Sequence, residues 1–147
     1  MSMTYQNILV AVDGSNESML AFKRAIQVAI NNVNSTLYVV HVIDTRSFAF
    51  YESYNLNMAD KASGLATEML NSHRSMAKDA GVEYVETFIE YGAPRQIIAR
   101  DLPQAKQIDL IVCGVTGKGE VERFLMGSVS EAIVRIAKCD VLVVRNL

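Results

Sequence analysis

Short apolar runs that alternate with segments of helical period constrain this chain more than any other feature. Asn7-Ile-Leu-Val-Ala-Val12 is strand-like and ends at the turn cluster Asp13-Gly14-Ser15-Asn16. From Glu17 the period lengthens. Met19, Phe22, Ile26, Ala29, Ile30 and Val33 recur at helical spacing, which leaves Lys23, Arg24 and Gln27 towards water. Ser15 or Asn16 is the expected N-cap, because a short polar side chain there can accept from a free N–H of the first turn. Thr36-Leu-Tyr-Val-Val-His-Val-Ile43 is a second strand. A polar helix whose apolar residues Leu65, Met69, Leu70, Met76 and Ala77 share one face is expected over residues 60–80, stopped by Gly81. Residues 84–91 alternate as a third strand. Pro94 suits the first turn of a helix reaching about Asp101, and Pro103 is expected to end or kink it. Residues 109–113 make a fourth strand, residues 128–138 a helix, and Val141-Leu-Val-Val144 a fifth strand.

Strands this free of polar residues, each followed by a helix, belong in a parallel sheet covered on both faces. Right-handed crossovers then give a doubly wound α/β fold of five strands in the order 3-2-1-4-5. Ligands of such sheets bind beyond the carboxyl ends of the strands where the order reverses, between strands 1 and 4, which points to Asp13 and Gly114. The 147 residues fit one domain spanning 1–147, and 50% hydrophobic with 20% charged residues suits a packed core rather than disorder. The segment from Asp44 to Met58 fits neither period, and its Phe48, Phe50, Tyr51 and Tyr54 would suit a flap over a ligand.

Charge and cysteine content narrow the function. Fourteen Lys and Arg against 16 Asp and Glu give a formal charge of −2, without the basic excess expected of a nucleic-acid or anionic-membrane binder. No apolar run reaches the ~18 residues of a membrane span. No cleavable signal peptide is expected in the polar residues 1–6. The two cysteines, Cys113 and Cys139, are too few for a disulfide scaffold, so the expected setting is the reducing cytosol. They fall at opposite ends of adjacent strands, ~15 Å apart, and are expected to be free, buried thiols.

The segment best suited to chemistry is Gly114-Val-Thr-Gly117-Lys118, continuing to Arg123 and Gly127-Ser128-Val129-Ser130. A glycine-bearing loop leaves a central strand and ends at a helix N-terminus, where free N–H groups and positive potential attract an anion. Lys118 and Arg123 carry charge, and Ser128 and Ser130 carry hydroxyls, so the inferred ligand bears phosphate. A plainer reading competes: Ser128 with Glu131 is a capping box that explains both residues without a ligand. The loop is not GxxxxGK[ST], and Asp13-Gly14-Ser15 is not GxGxxG, so neither the Walker nor the dinucleotide signature applies. No residue stands out as a catalytic base or nucleophile.

In these residues the chain resembles the universal stress proteins, of the small ATP-binding kind. Ile8-Leu-Val-Ala-Val-Asp13-Gly14-Ser15, Val40-His41-Val42 and the pattern G-x2-G-x9-G-[ST], met by Gly114, Gly117, Gly127 and Ser128, carry the resemblance over essentially the whole chain. It implies that Ala11, Val12 and Asp13 approach the adenine base and that Val42 gives it backbone contacts. Gly114 and Gly117 would lie along ribose and phosphates, with Gly127, Ser128, Val129 and Ser130 around the phosphates. Asp13 would help to hold a magnesium or manganese ion with them. Cys113 stands beside the base where the family often has Met, and Asp140 stands where it usually has Pro.

Simpler roles stand beside these. In the simpler reading Asp13 does no more than shape the turn through side-chain to backbone hydrogen bonds. His41 reads as a packed strand residue, His73 as a solvated one, and Met58, Met69, Met76 and Met126 as gap-fillers. The function expected is a cytosolic stress-response protein that binds ATP as a regulatory ligand. A nucleotide-independent dimeric interaction module and a slow ATPase are the alternatives. A homodimer is expected through the last strand, since Val141, Leu142, Val143 and Val144 form an apolar edge, and the resemblance implies the same dimer.

Overall fold

The computed structural model describes residues 4–45, 55–115 and 127–145. Phe48, Phe50, Tyr51, Tyr54, Gly117, Lys118, Arg123 and Met126 lie outside the described residues. The elements run β1 (Asn7–Ala11), α1 (Asn16–Asn31), β2 (Thr36–Ile43), α2 (Asn55–Ala80) and β3 (Tyr84–Tyr91). A composite helix follows: α3 (Pro94–Gln96), a π-helical turn (Ile97–Asp101) and α4 (Leu102–Lys106). β4 (Leu110–Gly114), α5 (Ser128–Ile136) and β5 (Asp140–Val144) complete the chain. All pairings are parallel and the strand order is β3-β2-β1-β4-β5, the expected 3-2-1-4-5.

Alternation along each strand sends side chains to two cores. Ile8, Val10, Leu37, Val39 and Val112 face α1 and α2, meeting Phe22, Ala25, Leu70 and Ala77. Leu9, Val40, Ile111 and Cys113 face the other way, onto Ile97, Ile98, Leu102 and Ile133. Because the central strands are covered on both faces, β1 and β4 carry apolar runs rather than a polar/apolar alternation, and in β2 the apolar run is interrupted only by Tyr38 and the part-buried His41.

Three local expectations are corrected. The helix after Pro94 does not stop near Asp101: it widens, with Leu102 N–H reaching back to the Ile97 carbonyl, and continues to Lys106. The wide turn absorbs the absence of an N–H at Pro103 and the clash its ring would make with the preceding turn. Gln107, at φ 53°, then ends the helix in the left-handed region. The second helix begins at Asn55 rather than at residue 60, while Gly81 at φ 110° closes it as expected, with Val82 N–H on the Ala77 carbonyl at 3.0 Å. His73 is not solvated. It is 5% exposed, its Nδ1 donates to the Met69 carbonyl at 2.8 Å, and its ring meets Phe22 edge-on at 4.6 Å between centroids. Nε2 has no hydrogen-bond partner among the described residues.

Cys113 and Cys139 are free. Cys113 stands opposite Val143, four residues beyond Cys139, which puts the two thiols at opposite ends of the β4–β5 pair. Burial pushes both thiols up from their ordinary pKa, so they are held as thiols. Asp140 opens β5 without a proline, and its carboxylate accepts the Tyr5 hydroxyl at 2.7 Å.

Candidate functional site

Strands β2 and β4 flank β1 and continue past its end, so the sheet splits open at its carboxyl edge. A cleft of ≈ 390 Å³ occupies the split. Ala11, Val12, Asp13, His41 and Val42 line one side, and Cys113, Gly114, Gly127, Ser128, Val129 and Ser130 line the other. Every described residue expected at a ligand site is therefore brought together here. His41, Ser15, Glu17, Ser18, Pro94, Ile98 and Ile133 join them.

The split leaves backbone groups that a continuing sheet would have paired, and side chains take three of them. After Val12 N–H bonds the Val40 carbonyl at 2.8 Å, the ladder to β2 stops, and the Val12 carbonyl accepts from His41 Nδ1 at 2.7 Å. Asp13 N–H donates to Ser18 Oγ at 3.2 Å, and the Gly114 carbonyl accepts from Ser130 Oγ at 2.5 Å. His41, Ser18 and Ser130 thus hold the mouth open by satisfying groups that would otherwise draw the strands together. Sequence reasoning reads His41 as a packed strand residue and does not single out Ser18, because a side chain that caps a strand end leaves no periodic trace. Their signal is positional only: His41 lies near the carboxyl end of β2, and Ser18 in the first turn of the helix that follows β1.

The turn after β1 confirms the turn-shaping role of Asp13. Its Oδ1 accepts Ser15 N–H at 2.9 Å, and Ser15 Oγ accepts Ser18 N–H at 3.1 Å as the N-cap of α1. Burial pushes the Asp13 carboxyl up, but hydrogen bonds from Ser15 and Ser18 and the nearby His41 outweigh it and hold it below the usual carboxylate value. Asp13 is therefore an anion at neutral pH. Its contribution to stability is complete above the ordinary carboxylate pKa and is lost as pH falls through its lowered value. Among the described residues no cluster of three or more His, Cys, Asp or Glu is set to hold a metal.

On the opposite wall the helix start differs from the capping-box reading. Gly127 is the N-cap of α5, with no side-chain cap bond, and Ser128 is the first helical residue. Glu131 turns to Arg135 instead, and its own N–H makes the first helical bond, to the Gly127 carbonyl at 2.8 Å. Among the described residues, the N–H groups of Ser128, Val129 and Ser130 are accordingly first-turn donors without a helical partner. Ser128 is exposed and its hydroxyl has no cap to serve, whereas the buried Ser130 hydroxyl is committed to Gly114.

Gly114 has a second duty. A Cβ there would lie 2.7 Å from the backbone oxygen of Glu17, so α1 can start this close to β4 only because the residue is glycine. Gly114→Ala should lower stability by about 1–3 kcal/mol, read by denaturant unfolding without any ligand. An unchanged midpoint would show that the contact relaxes freely.

Comparison with known proteins agrees with this architecture. The family model described as the universal stress protein family matches residues 4–145. SH1215 of Staphylococcus haemolyticus, assigned to the universal stress proteins, is 48% identical over 144 residues, covering 98% of this chain and 87% of its own. The universal stress protein UspA from Lactobacillus plantarum superposes with a TM-score of 0.86 at 28% identity, over 98% of this chain and 100% of its own. A universal stress protein solved in complex with cAMP superposes with a TM-score of 0.73 at 27% identity, over 99% and 100%. With the strand order, the split sheet edge and the Gly127-Ser128 helix start all in place, the chain belongs to the universal stress protein family.

Proposed function

We propose that this protein binds an adenine nucleotide, ATP in the first instance, in the cleft at the split sheet edge and uses it as a regulatory ligand. The observation that carries the reading is that Ser128, Val129 and Ser130, the first turn of α5, line a cleft whose opposite wall is an open strand edge. The first suits phosphate and the second suits a flat base. Ala11, Val12, Asp13, Val42 and Cys113 would surround the base, Gly114 the ribose, and Gly127 to Ser130 the phosphates. Gly117, from the same glycine pattern, would complete the loop. The relative bound to cAMP is an adenine-nucleotide complex in the same fold.

Asp13 and Glu17 place two carboxylates on the rim. They repel a polyphosphate unless a divalent ion lies between, so Asp13 would hold magnesium or manganese only together with the phosphates. The acting unit would be a homodimer paired through β5, in the cytosol; among the described residues no helix is long and apolar enough to cross a membrane.

Calorimetric titration of ATP into protein stripped of carried-over nucleotide tests this, with and without magnesium. Saturable binding at one site per chain, tighter with magnesium, is expected. Absence of binding would favour a nucleotide-independent interaction module. Phosphate released in excess of protein would instead make the protein an ATPase.

A further inference from the structure

We propose that His41 is a positioning residue that keeps the backbone of Val42 open to read the nucleotide base, a role that rests on the nucleotide reading above. The register of β1 on β2 carries the argument. Thr36 N–H bonds the Gln6 carbonyl at 2.8 Å, and Val12 N–H bonds the Val40 carbonyl at 2.8 Å. Even-numbered residues of β2 therefore turn their backbone groups towards β1, while Ile43 turns to β3, its carbonyl accepting Gly92 N–H at 3.0 Å.

The next rung after Val12–Val40 is Val42 N–H to the Val12 carbonyl, and that rung is not formed. The His41 side chain occupies the carbonyl instead, at 2.7 Å. Its partner is an acceptor only, so Nδ1 carries the proton. Three groups released where the ladders part, the Val12 carbonyl, Asp13 N–H and the Gly114 carbonyl, are satisfied by side chains. Among the described residues Val42 N–H is not bonded to any of them, and Val42 lines the cleft. Its N–H and C=O address the same side of the strand. Together they form a donor–acceptor pair complementary to the ring nitrogen and exocyclic amine on one edge of adenine; guanine presents the reverse pattern at that edge.

Without the imidazole, the Val12 carbonyl becomes an acceptor in want of a donor inside the protein. Val42 N–H is the backbone donor that stands in register for it. The ladder then closes by one rung and consumes the group that reads the base. The cradle at Gly127 to Ser130 stands on another element and is left as it was.

Two measurements test this. Amide hydrogen exchange by NMR on nucleotide-free protein should find Val42 N–H exchanging freely while Val40 is protected. In His41→Leu, Val42 should become protected. Slow Val42 exchange in the unaltered protein, or no change in His41→Leu, overturns the proposal, and the first of these decides even if the variant does not fold. In binding, His41→Leu should lower the preference for ATP over GTP at least tenfold while leaving the affinity for inorganic tripolyphosphate unchanged. His41→Asn, whose amide nitrogen occupies the place of Nδ1, should restore the preference. Equal loss of ATP, GTP and tripolyphosphate binding would reduce His41 to a fold residue. Failure of the unaltered protein to bind ATP at all sinks the nucleotide reading, and the exchange result still decides whether His41 holds the rung open.

Discussion

Gly127→Val should weaken ATP binding at least tenfold, about 1.4 kcal/mol, while leaving the fold intact. Gly127 sits at φ −63° and ψ 163°, a conformation open to any residue, so the substitution brings no backbone strain of its own. Nor does it remove a cap, since Gly127 has no side chain and α5 has no side-chain cap bond. What changes is the surface beside the free N–H groups of Ser128, Val129 and Ser130, where a branched side chain would stand in the path of a phosphate. Calorimetry at matched folded fraction reads the effect. Ser128→Ala should cost less, because it removes one exposed hydroxyl and leaves the backbone donors in place. Unchanged ATP affinity in Gly127→Val would remove the phosphate assignment.

Val143→Pro should convert a dimer into a folded monomer. β5 is an edge of the sheet, and its Val141, Leu142 and Val143 are only half buried in the single chain, with Val144 buried. The Val144 carbonyl accepts Val115 N–H at 3.1 Å, so Val144 and Leu142 address β4, and Val141 and Val143 turn their N–H and C=O groups outward. A proline at residue 143 therefore deletes an outward donor and none of the bonds to β4, the one arrangement in which a strand tolerates proline. Antiparallel pairing of this edge with its own copy about a twofold axis would satisfy both edges at once. Sedimentation equilibrium should give twice the chain mass for the unaltered protein and one chain mass for the variant, with unchanged circular dichroism. An unaltered protein that sediments as a single chain at micromolar concentration contradicts the dimer.

The architecture was legible because burial on both faces leaves its mark directly in composition. Ile8 to Val12 and Leu110 to Cys113 are wholly apolar and Leu37 to Ile43 is apolar but for Tyr38 and His41, and the order of the elements follows from right-handed crossovers. The location of the cleft was legible for the same reason, since strand order alone puts Asp13 beside Gly114. The details that escaped are those made by single contacts between distant residues. The packing of His73 against Phe22 depends on how α2 lies on α1, which periodicity does not report. Ser128 with Glu131 matches a capping box by spacing, yet the helix starts one residue earlier and Glu131 pairs with Arg135. Pro103 reads as a stop, but a helix packed on Leu9 and Ile111 through Ile97, Ile98 and Leu102 gains more by widening one turn than by ending. Gly114 was assigned to the ligand by its motif, whereas the Glu17 carbonyl also requires it.

The central claim, that an adenine nucleotide occupies the split edge of the sheet, is tested most directly by mapping ATP onto the amide NMR spectrum of nucleotide-free protein. Saturable shifts should appear first at Val42, Gly114, Ser128, Val129 and Ser130, on both walls of the cleft, and should leave the opposite end of the sheet, around Asp109 and Asp140, unmoved. A spectrum unchanged at saturating ATP, or shifts gathered at that opposite end, would contradict it.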